Sequence, residues 1–126
     1  LAITWAIENA DEEKIAELGQ HLELMNFYTG NNSYEKLLEA NEQFHSMIYQ
    51  MTGSRFIVQI LKTYQDYVHT ARKSTLKKEE NLPLIFKEHE AIYKAMAAKD
   101  IQAAGDAVEL HMDNTAKRAH ERWLGK

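Results

Sequence analysis

Apolar residues recur at intervals of three and four along most of this chain, which is the period of amphipathic α-helices. The opening stretch predicts a helix that runs to about Asn9. Asp11 is placed to cap a second helix, which passes through residues 25–28 and ends at the Gly-Asn-Asn run that follows. Ser33 is placed to cap a third helix, which ends at Met51. The inward residues predicted for the second and third helices are Ile15, Leu18, Leu22, Met25, Leu37, Phe44, Ile48 and Met51.

Three more helices are predicted after a break at Thr52-Gly53-Ser54, and their bounds are Arg55 to about Ser74, Pro83 to Ala98, and Ile101 to about Trp123. The polar stretch KKEENLP at 77–83 is the one clear loop, and Pro83 suits the first turn of the helix that follows. Asp100 is placed to cap the last helix. The fourth helix carries Phe56, Ile57, Ile60, Leu61, Tyr64 and Val68. Short connections between helices are typical of an all-α antiparallel bundle, here of about six helices.

Composition excludes several classes of protein. The formal net charge of −4 argues against nucleic-acid binding by this segment, because such surfaces usually carry a basic excess. Cysteine is absent, so disulfides, thiolate zinc sites and cysteine nucleophiles are excluded. No apolar run approaches the roughly 18 residues of a membrane span, and the N-terminus lacks a signal-peptide pattern. We expect one cytoplasmic domain over residues 1–126, cut from a longer protein with its first helix truncated.

Four polar residues interrupt the apolar faces of the predicted helices: Asn41, His45, His89 and His111. Asn41 and His45 lie one helical turn apart on one face and can share an ion. The other two histidines lie on two further helices. A buried histidine with an unpaired ring nitrogen carries a cost of about 1–3 kcal/mol. One shared metal ion would satisfy three imidazoles together, so the pattern favours a divalent metal site.

Other interpretations of the histidines stay open from spacing alone. Each can be a hydrogen-bonded core residue, because separation along the chain does not show that the three converge. Glu42-x-x-His45 also matches an element of di-iron bundles, but such sites need a second Glu-x-x-His, which the chain lacks. The remaining histidines, His21, His69 and His120, are interpreted as surface or boundary residues.

These motifs resemble those of a known family. The order is Asn-x3-His, a histidine 44 residues later, and another 22 residues after that. FHSMIYQMTGSRFIVQIL resembles the family segment FH..I....GN..L...L, and EHEAIYKAMAAKDIQAAGDAVELHM resembles EH..I..A...GD...A...M..H. Both are typical of the C-terminal effector-binding (FCD) domain of FadR-like regulators in the GntR family of bacterial transcriptional regulators. The resemblance covers essentially the whole chain.

The resemblance implies a helical bundle with a central ligand cavity, in which a divalent metal helps to bind a small carboxylate effector. The family's metal positions correspond to Asn41, His45, His89 and His111, and the metals expected for this donor set are zinc or nickel. The first position is usually aspartate in the family. Because an amide oxygen is a weaker ligand, metal affinity should fall, while the attraction for an anionic effector should rise.

Four residues are candidates for effector binding. Arg118 lies seven residues after His111 on the same helical face and can pair with both oxygens of a carboxylate. The other candidates are Asn114, Arg72 and Tyr93. Arg118 can equally be a solvated arginine near a helix end, and Arg72 and Tyr93 are weaker candidates, for which a solvated face is the favoured interpretation.

We therefore predict the ligand-sensing domain of a GntR-type regulator, not an enzyme and not a membrane protein. DNA binding is expected from a winged helix-turn-helix domain upstream, and the family implies a homodimer. Glu42 and Glu88 are predicted to point away from the ligand histidines, which leaves a metalloenzyme without a general base. The alternatives are a metal-free effector-binding domain, a structural dimerisation domain and a helical metalloenzyme.

Overall fold

The computed structural model describes residues 2–31, 33–76 and 82–124, and six helices account for most of them. They are α1 (Ala2–Asn9), α2 (Glu12–Asn31), α3 (Tyr34–Met51), α4 (Arg55–Leu76), α5 (Leu82–Ala97) and α6 (Ile101–Leu124). The predicted fold class and helix number are confirmed, and most predicted bounds lie within two residues of the observed ones. Of the predicted loop at 77–83, residues 77–81 lie outside the described ranges, while Leu82 and Pro83 form the first turn of α5.

The helix ends follow the predicted caps with one exception. Asp11 accepts a hydrogen bond from the Lys14 amide at 2.8 Å, and Asp100 accepts one from the Ala103 amide at 3.0 Å. Ser33 occupies the N-cap position of α3, but its hydroxyl makes no capping hydrogen bond, so this predicted cap is wrong. Gly30 and the residue after it extend α2 rather than end it, because one helical glycine costs only about 1 kcal/mol.

The core lies where α2, α3 and α5 bring their apolar stripes together. α3 packs against α1, α2 and α4, whereas α6 packs against α1, α4 and α5. Phe44 is fully buried and lies next to two of the predicted histidine ligands, His45 and His89, with ring centroids 5.9 and 5.1 Å away. Of the predicted inward residues of α2 and α3, Ile15 is partly buried and the others are buried. The predicted stripes are therefore confirmed on these two helices.

α4 differs from the other helices because much of its apolar stripe faces solvent. Phe56 is 73% exposed, and Ile60 and Tyr64 are 48% and 44% exposed. The inward side of α4 carries the half-buried Leu61 and the buried Gln65. None of the helices in the described ranges is long and apolar enough to cross a membrane.

α5 ends in a turn whose left-handed residue is Lys99 and not a glycine. Lys99 has a φ of 57°. The Asp100 amide donates to the Ala95 carbonyl at 2.9 Å, and the Lys99 amide donates to the Met96 carbonyl at 3.0 Å. This is the Schellman arrangement, in which glycine is preferred because other L-residues are strained at positive φ.

We predict that Lys99→Gly stabilises the chain by up to about 1 kcal/mol, because glycine relieves this strain. The matched control is Lys87→Gly, an exposed lysine inside α5, which should lower the free energy of unfolding by about 1 kcal/mol. Urea unfolding of both variants measures the difference. An equal decrease in the free energy of unfolding in both variants would contradict a strained turn at residue 99.

Candidate metal centre

Three histidines converge between α3, α5 and α6. His45, His89 and His111, here called the histidine cluster, are 8%, 0% and 6% exposed. Each offers one ring nitrogen within 4.8 Å of the other two. The ring centroids lie 4.4 to 5.3 Å apart. Spacing along the chain did not show whether the three histidines converge, and the folded structure shows that they do.

Hydrogen bonds assign the proton on two of these rings. The Nδ1 atom of His89 lies 2.7 Å from the carbonyl oxygen of Ile85, one turn earlier on α5. The Nδ1 atom of His111 lies 2.6 Å from Oε1 of Glu88. A carbonyl or an ionised carboxylate can only accept, so both rings carry a proton on Nδ1 and donate it. In its neutral form each ring then has its lone pair on Nε2, the state that metal ligation requires.

The spacing and chemistry of the donors fit one divalent ion. The Nε2 atoms of His45 and His89 are 3.1 Å apart. Two nitrogens that bind one zinc ion at about 2.1 Å lie roughly 3.0 Å apart at a right angle and roughly 3.4 Å apart in tetrahedral geometry. Asn41, one turn before His45, is 4% exposed, and its Oδ1 has no hydrogen-bond partner among the described residues. An orphaned buried oxygen on the same helical face is a further donor that a metal could satisfy.

Glu88 is a buried carboxylate that joins α5 to α6, and the prediction that it points away from the ligand histidines is wrong. Its side chain is 8% exposed and accepts a hydrogen bond from His111. Arg118 donates to both of its oxygens, at 2.8 and 2.9 Å, and Asn114 donates at 2.9 Å. The reason lies in the helical period: residues 88 and 89 both fall on the apolar stripe of α5 between Ile85 and Ile92. Glu88 lies on the side of that stripe that faces α6.

These contacts keep Glu88 ionised. Burial by itself raises the pKa of this carboxyl. The hydrogen bonds from Arg118, His111 and Asn114, together with the Arg118 charge, outweigh burial and lower the pKa from 4.5 to about 2. The buried charge is therefore paired with a guanidinium and supplied with donors on both oxygens.

The residues predicted for effector binding occupy different places. Arg118 and Asn114 meet at the Glu88 carboxylate, so the structure brings these two together on a partner within the chain. Tyr93 lies against α2, where its hydroxyl oxygen is 2.8 Å from the place that a Cβ on Gly19 would take. Arg72 is on α4, but its side chain lies outside those that the structure describes. Their roles toward an effector stay predictions.

One buried polar residue that joins α4 to α3 was missed from the sequence. Gln65 is 5% exposed, and its Nε2 donates to the backbone oxygen of Glu42 at 3.1 Å. Its Oε1 is buried without a hydrogen-bond partner among the described residues. Gln65 lies one turn after Leu61 on the apolar stripe of α4. The criterion that selected the histidines, a polar residue on an apolar helical face, also selects Gln65.

A cavity of about 410 Å³ adjoins the histidine cluster. His45 and His111 form part of its wall, and five helices contribute the rest: α1, α3, α4, α5 and α6. Volumes of a few hundred Å³ are typical of pockets for small organic ligands. The cluster therefore lies at the edge of a space in which a small molecule could reach it.

Comparison with known proteins places this arrangement in a family. A family model for the FCD domain matches residues 1–114. The chain is 24% identical over 115 residues to the uncharacterized HTH-type transcriptional regulator YdhC of Bacillus subtilis, covering 90% of the chain and 51% of the relative. It is 25% identical over 126 residues to the HTH-type transcriptional repressor NanR of Klebsiella aerogenes, covering 98% of the chain and 47% of the relative. The chain thus spans about half the length of these curated relatives.

The fold also matches a solved structure. The E. coli protein McbR/YncC superposes with a TM-score of 0.87 at 16% sequence identity. The match covers 96% of this chain and 61% of that chain. At this identity the likeness supports the fold alone.

We predict that Glu88→Gln lowers the free energy of unfolding by about 2–4 kcal/mol, because it leaves the mostly buried Arg118 charge without a counter-ion. The matched control is Glu90→Gln on the same helix. Glu90 pairs with Lys94 at 3.9 Å on the surface, and its loss should cost less than about 1 kcal/mol. Urea unfolding compares the two, and equal effects would show that the buried pair contributes no more than the surface pair.

The stability that Glu88 contributes is predicted to depend on pH. Its pKa in the folded chain, about 2, lies below its ordinary value of 4.5. The contribution is therefore fully present above about pH 4.5 and is lost as the pH falls toward 2. The difference in unfolding free energy between the chain and Glu88→Gln should narrow over this window, measured with a metal chelator present. A constant difference would contradict an ionised Glu88 in the folded state.

Proposed function

The chain belongs to the FCD domain family, and on that premise we propose that it senses a small carboxylate effector for a GntR-type transcriptional regulator. In this proposal a divalent metal, zinc or nickel, is held by the histidine cluster and Asn41. The observation that carries it is the burial of three imidazoles within 4.8 Å of one another beside a cavity. Hydrogen-bonded core histidines are the alternative, and they account for the separate contacts of the rings with one another, with Ile85 and with Glu88. The metal is proposed because the three rings also converge beside a cavity.

The charge of the donor set supports anion binding. All four proposed ligands are neutral, and Glu88, the carboxylate that accepts a hydrogen bond from His111, is already paired with Arg118. A bound divalent ion would supply a positive charge and open coordination positions for the two oxygens of a carboxylate. Glu88 would act on this site indirectly, by holding the His111 ring through Nδ1 so that Nε2 is presented for ligation.

The same residues argue against a hydrolytic enzyme as the function. A general base works best with a pKa near the operating pH. Glu88 is hydrogen-bonded to His111 of the cluster, and its pKa is lowered to about 2 by its hydrogen bonds and by Arg118. A carboxylate held this firmly is a weak base and a poor choice for activating water.

Regulation of DNA binding is the part of the proposal that rests on the relatives, both of which are HTH-type transcriptional regulators. DNA contact would come from a segment other than this one. The cavity is lined by residues of five helices, so an effector inside it would contact most of the bundle. Binding can then favour one packing of the helices over another and shift the population of DNA-competent regulator.

We predict that the purified chain binds about one divalent metal ion and that His89→Ala abolishes this binding, because His89 is the fully buried member of the cluster. His21→Ala is the matched control, since His21 is not part of the cluster and should leave the metal content unchanged. Elemental analysis with and without chelator gives the metal content. Unchanged metal in His89→Ala, or no metal in the parent chain at added zinc, would overturn the metal-assisted form of the proposal.

We further predict that Asn41→Asp tightens metal binding at least about tenfold, because a carboxylate adds a full negative charge at ligand distance. Zinc competition against a fluorescent chelator measures the change. Gln43→Glu adds the same charge on the exposed face of α3 and is the control for a general charge effect. If Asn41→Asp leaves zinc affinity unchanged, Asn41 is not a ligand.

A further inference from the structure

The described wall of the cavity beside the histidine cluster is mostly apolar. Seven of its twelve described lining residues are aliphatic or methionine, among them Ile48, Ile92 and Val108. Among the described residues that line it there is no aspartate, glutamate, lysine, arginine, asparagine or glutamine. The imidazoles of His45 and His111 stand at one part of this wall. The space therefore combines one polar end with a largely apolar body.

Groups that could recognise further polar atoms of a ligand are mostly committed elsewhere. Arg118 and Asn114 are bound to Glu88 and do not line the described wall of the cavity. The hydroxyl of Thr115, which does line it, donates to the His111 carbonyl at 2.8 Å. Two tyrosines, Tyr49 and Tyr64, provide the other hydroxyls of the wall.

A polyhydroxylated ligand would fit this lining poorly. Each hydroxyl that leaves water without a partner costs about 1–3 kcal/mol. A methylene group gains about 0.8 kcal/mol when it leaves water for an apolar wall. The described part of the lining thus disfavours sugar acids and favours hydrocarbon.

Size sets a second limit on the ligand. At roughly 30 Å³ for each water-sized group in a liquid, the cavity holds on the order of a dozen non-hydrogen atoms. Ile60 and Met112 on its wall are 48% and 49% exposed, so the cavity opens to solvent between α4 and α6. A ligand can enter there while its carboxylate reaches the histidines.

We propose that the effector is a monocarboxylate with an apolar body of about six to ten carbon atoms, and not a hydroxylated or multiply charged acid. This inference rests on the proposed function, because the carboxylate is assigned to the cluster and its metal. It adds the class of molecule that the rest of the cavity accepts. The apolar body would lie against the side chains of α4, α5 and α6.

Calorimetric titration of the zinc-loaded chain with a series of straight-chain acids tests the proposal. The probes are acetate, butanoate, hexanoate, octanoate, decanoate and dodecanoate, each below its micelle concentration. Affinity should rise about fourfold per added methylene group until the cavity is filled, and then level off. Gluconate, a six-carbon polyhydroxy acid, should bind at least about tenfold more weakly than hexanoate.

Two variants on α6 locate the effect in the cavity. Val108→Phe fills part of the cavity, so affinity should stop increasing at a shorter acid than in the parent chain. Val108→Ala enlarges the cavity, so affinity should go on increasing to a longer acid. Leu110→Phe places the same ring on the exposed face of α6, where Leu110 is 57% exposed. This variant should bind each acid with the same affinity as the parent chain. If Val108→Phe fails to fold, Val108→Ala and the parent chain still decide the question.

The outcomes separate this inference from the function on which it rests. Binding of acetate or gluconate as tight as that of octanoate would overturn the apolar class and leave carboxylate sensing intact. Equal octanoate affinity with and without zinc would support the apolar class and overturn the role of the metal. Zinc binding with no response to any acid would overturn both carboxylate sensing and the apolar class.

Discussion

Glu88 is buried between α5 and α6, and the geometry of the candidate site depends on where its four hydrogen bonds go. Burying a carboxylate is costly unless a counter-charge and donors accompany it. Arg118 supplies the charge, and His111 and Asn114 supply further donors. One carboxylate thereby fixes the His111 ring, holds α6 against α5, and pairs with a guanidinium that does not line the described wall of the adjoining cavity.

The ionised groups and the neutral polar groups of the site lie in two different places. Charge is concentrated and neutralised at the Glu88–Arg118 pair, on the Nδ1 side of His111. The described wall of the cavity carries imidazole and hydroxyl groups but no ionised side chain. A metal bound by neutral ligands would keep most of its charge for an anion, and the rest of the described wall offers mainly hydrocarbon contact. The identity of residue 41 matters for the same reason, since an aspartate there would return a negative charge to the centre.

Local patterns predicted the helices well because the forces that shape them act over a few residues. Asp11 and Asp100 cap their helices as their types and places indicate. The Ser33 cap was wrong, because the same residue type can stand at the N-cap without aiming its hydroxyl at the helix. On α4 the apolar period is present, but Phe56 is largely exposed and Ile60 is about half exposed, since the neighbours of α4 cover only part of its apolar stripe. Periodicity states which side of a helix is apolar, and the packing partners determine how much of it is covered.

The sequence by itself determined six amphipathic helices, their order, and the presence of histidines on three apolar faces. It could do so because helical periodicity and capping depend on residues that are close together in the sequence. It also determined the family resemblance, which the FCD match confirms. Only the tertiary structure decided that the three rings meet, that Glu88 turns to His111 and not to solvent, and that the wall of the cavity lacks charge in its described part. These properties depend on how helices cross. The contacts join residues 23 and 44 positions apart, and their distances follow from the packing of side chains on several helices.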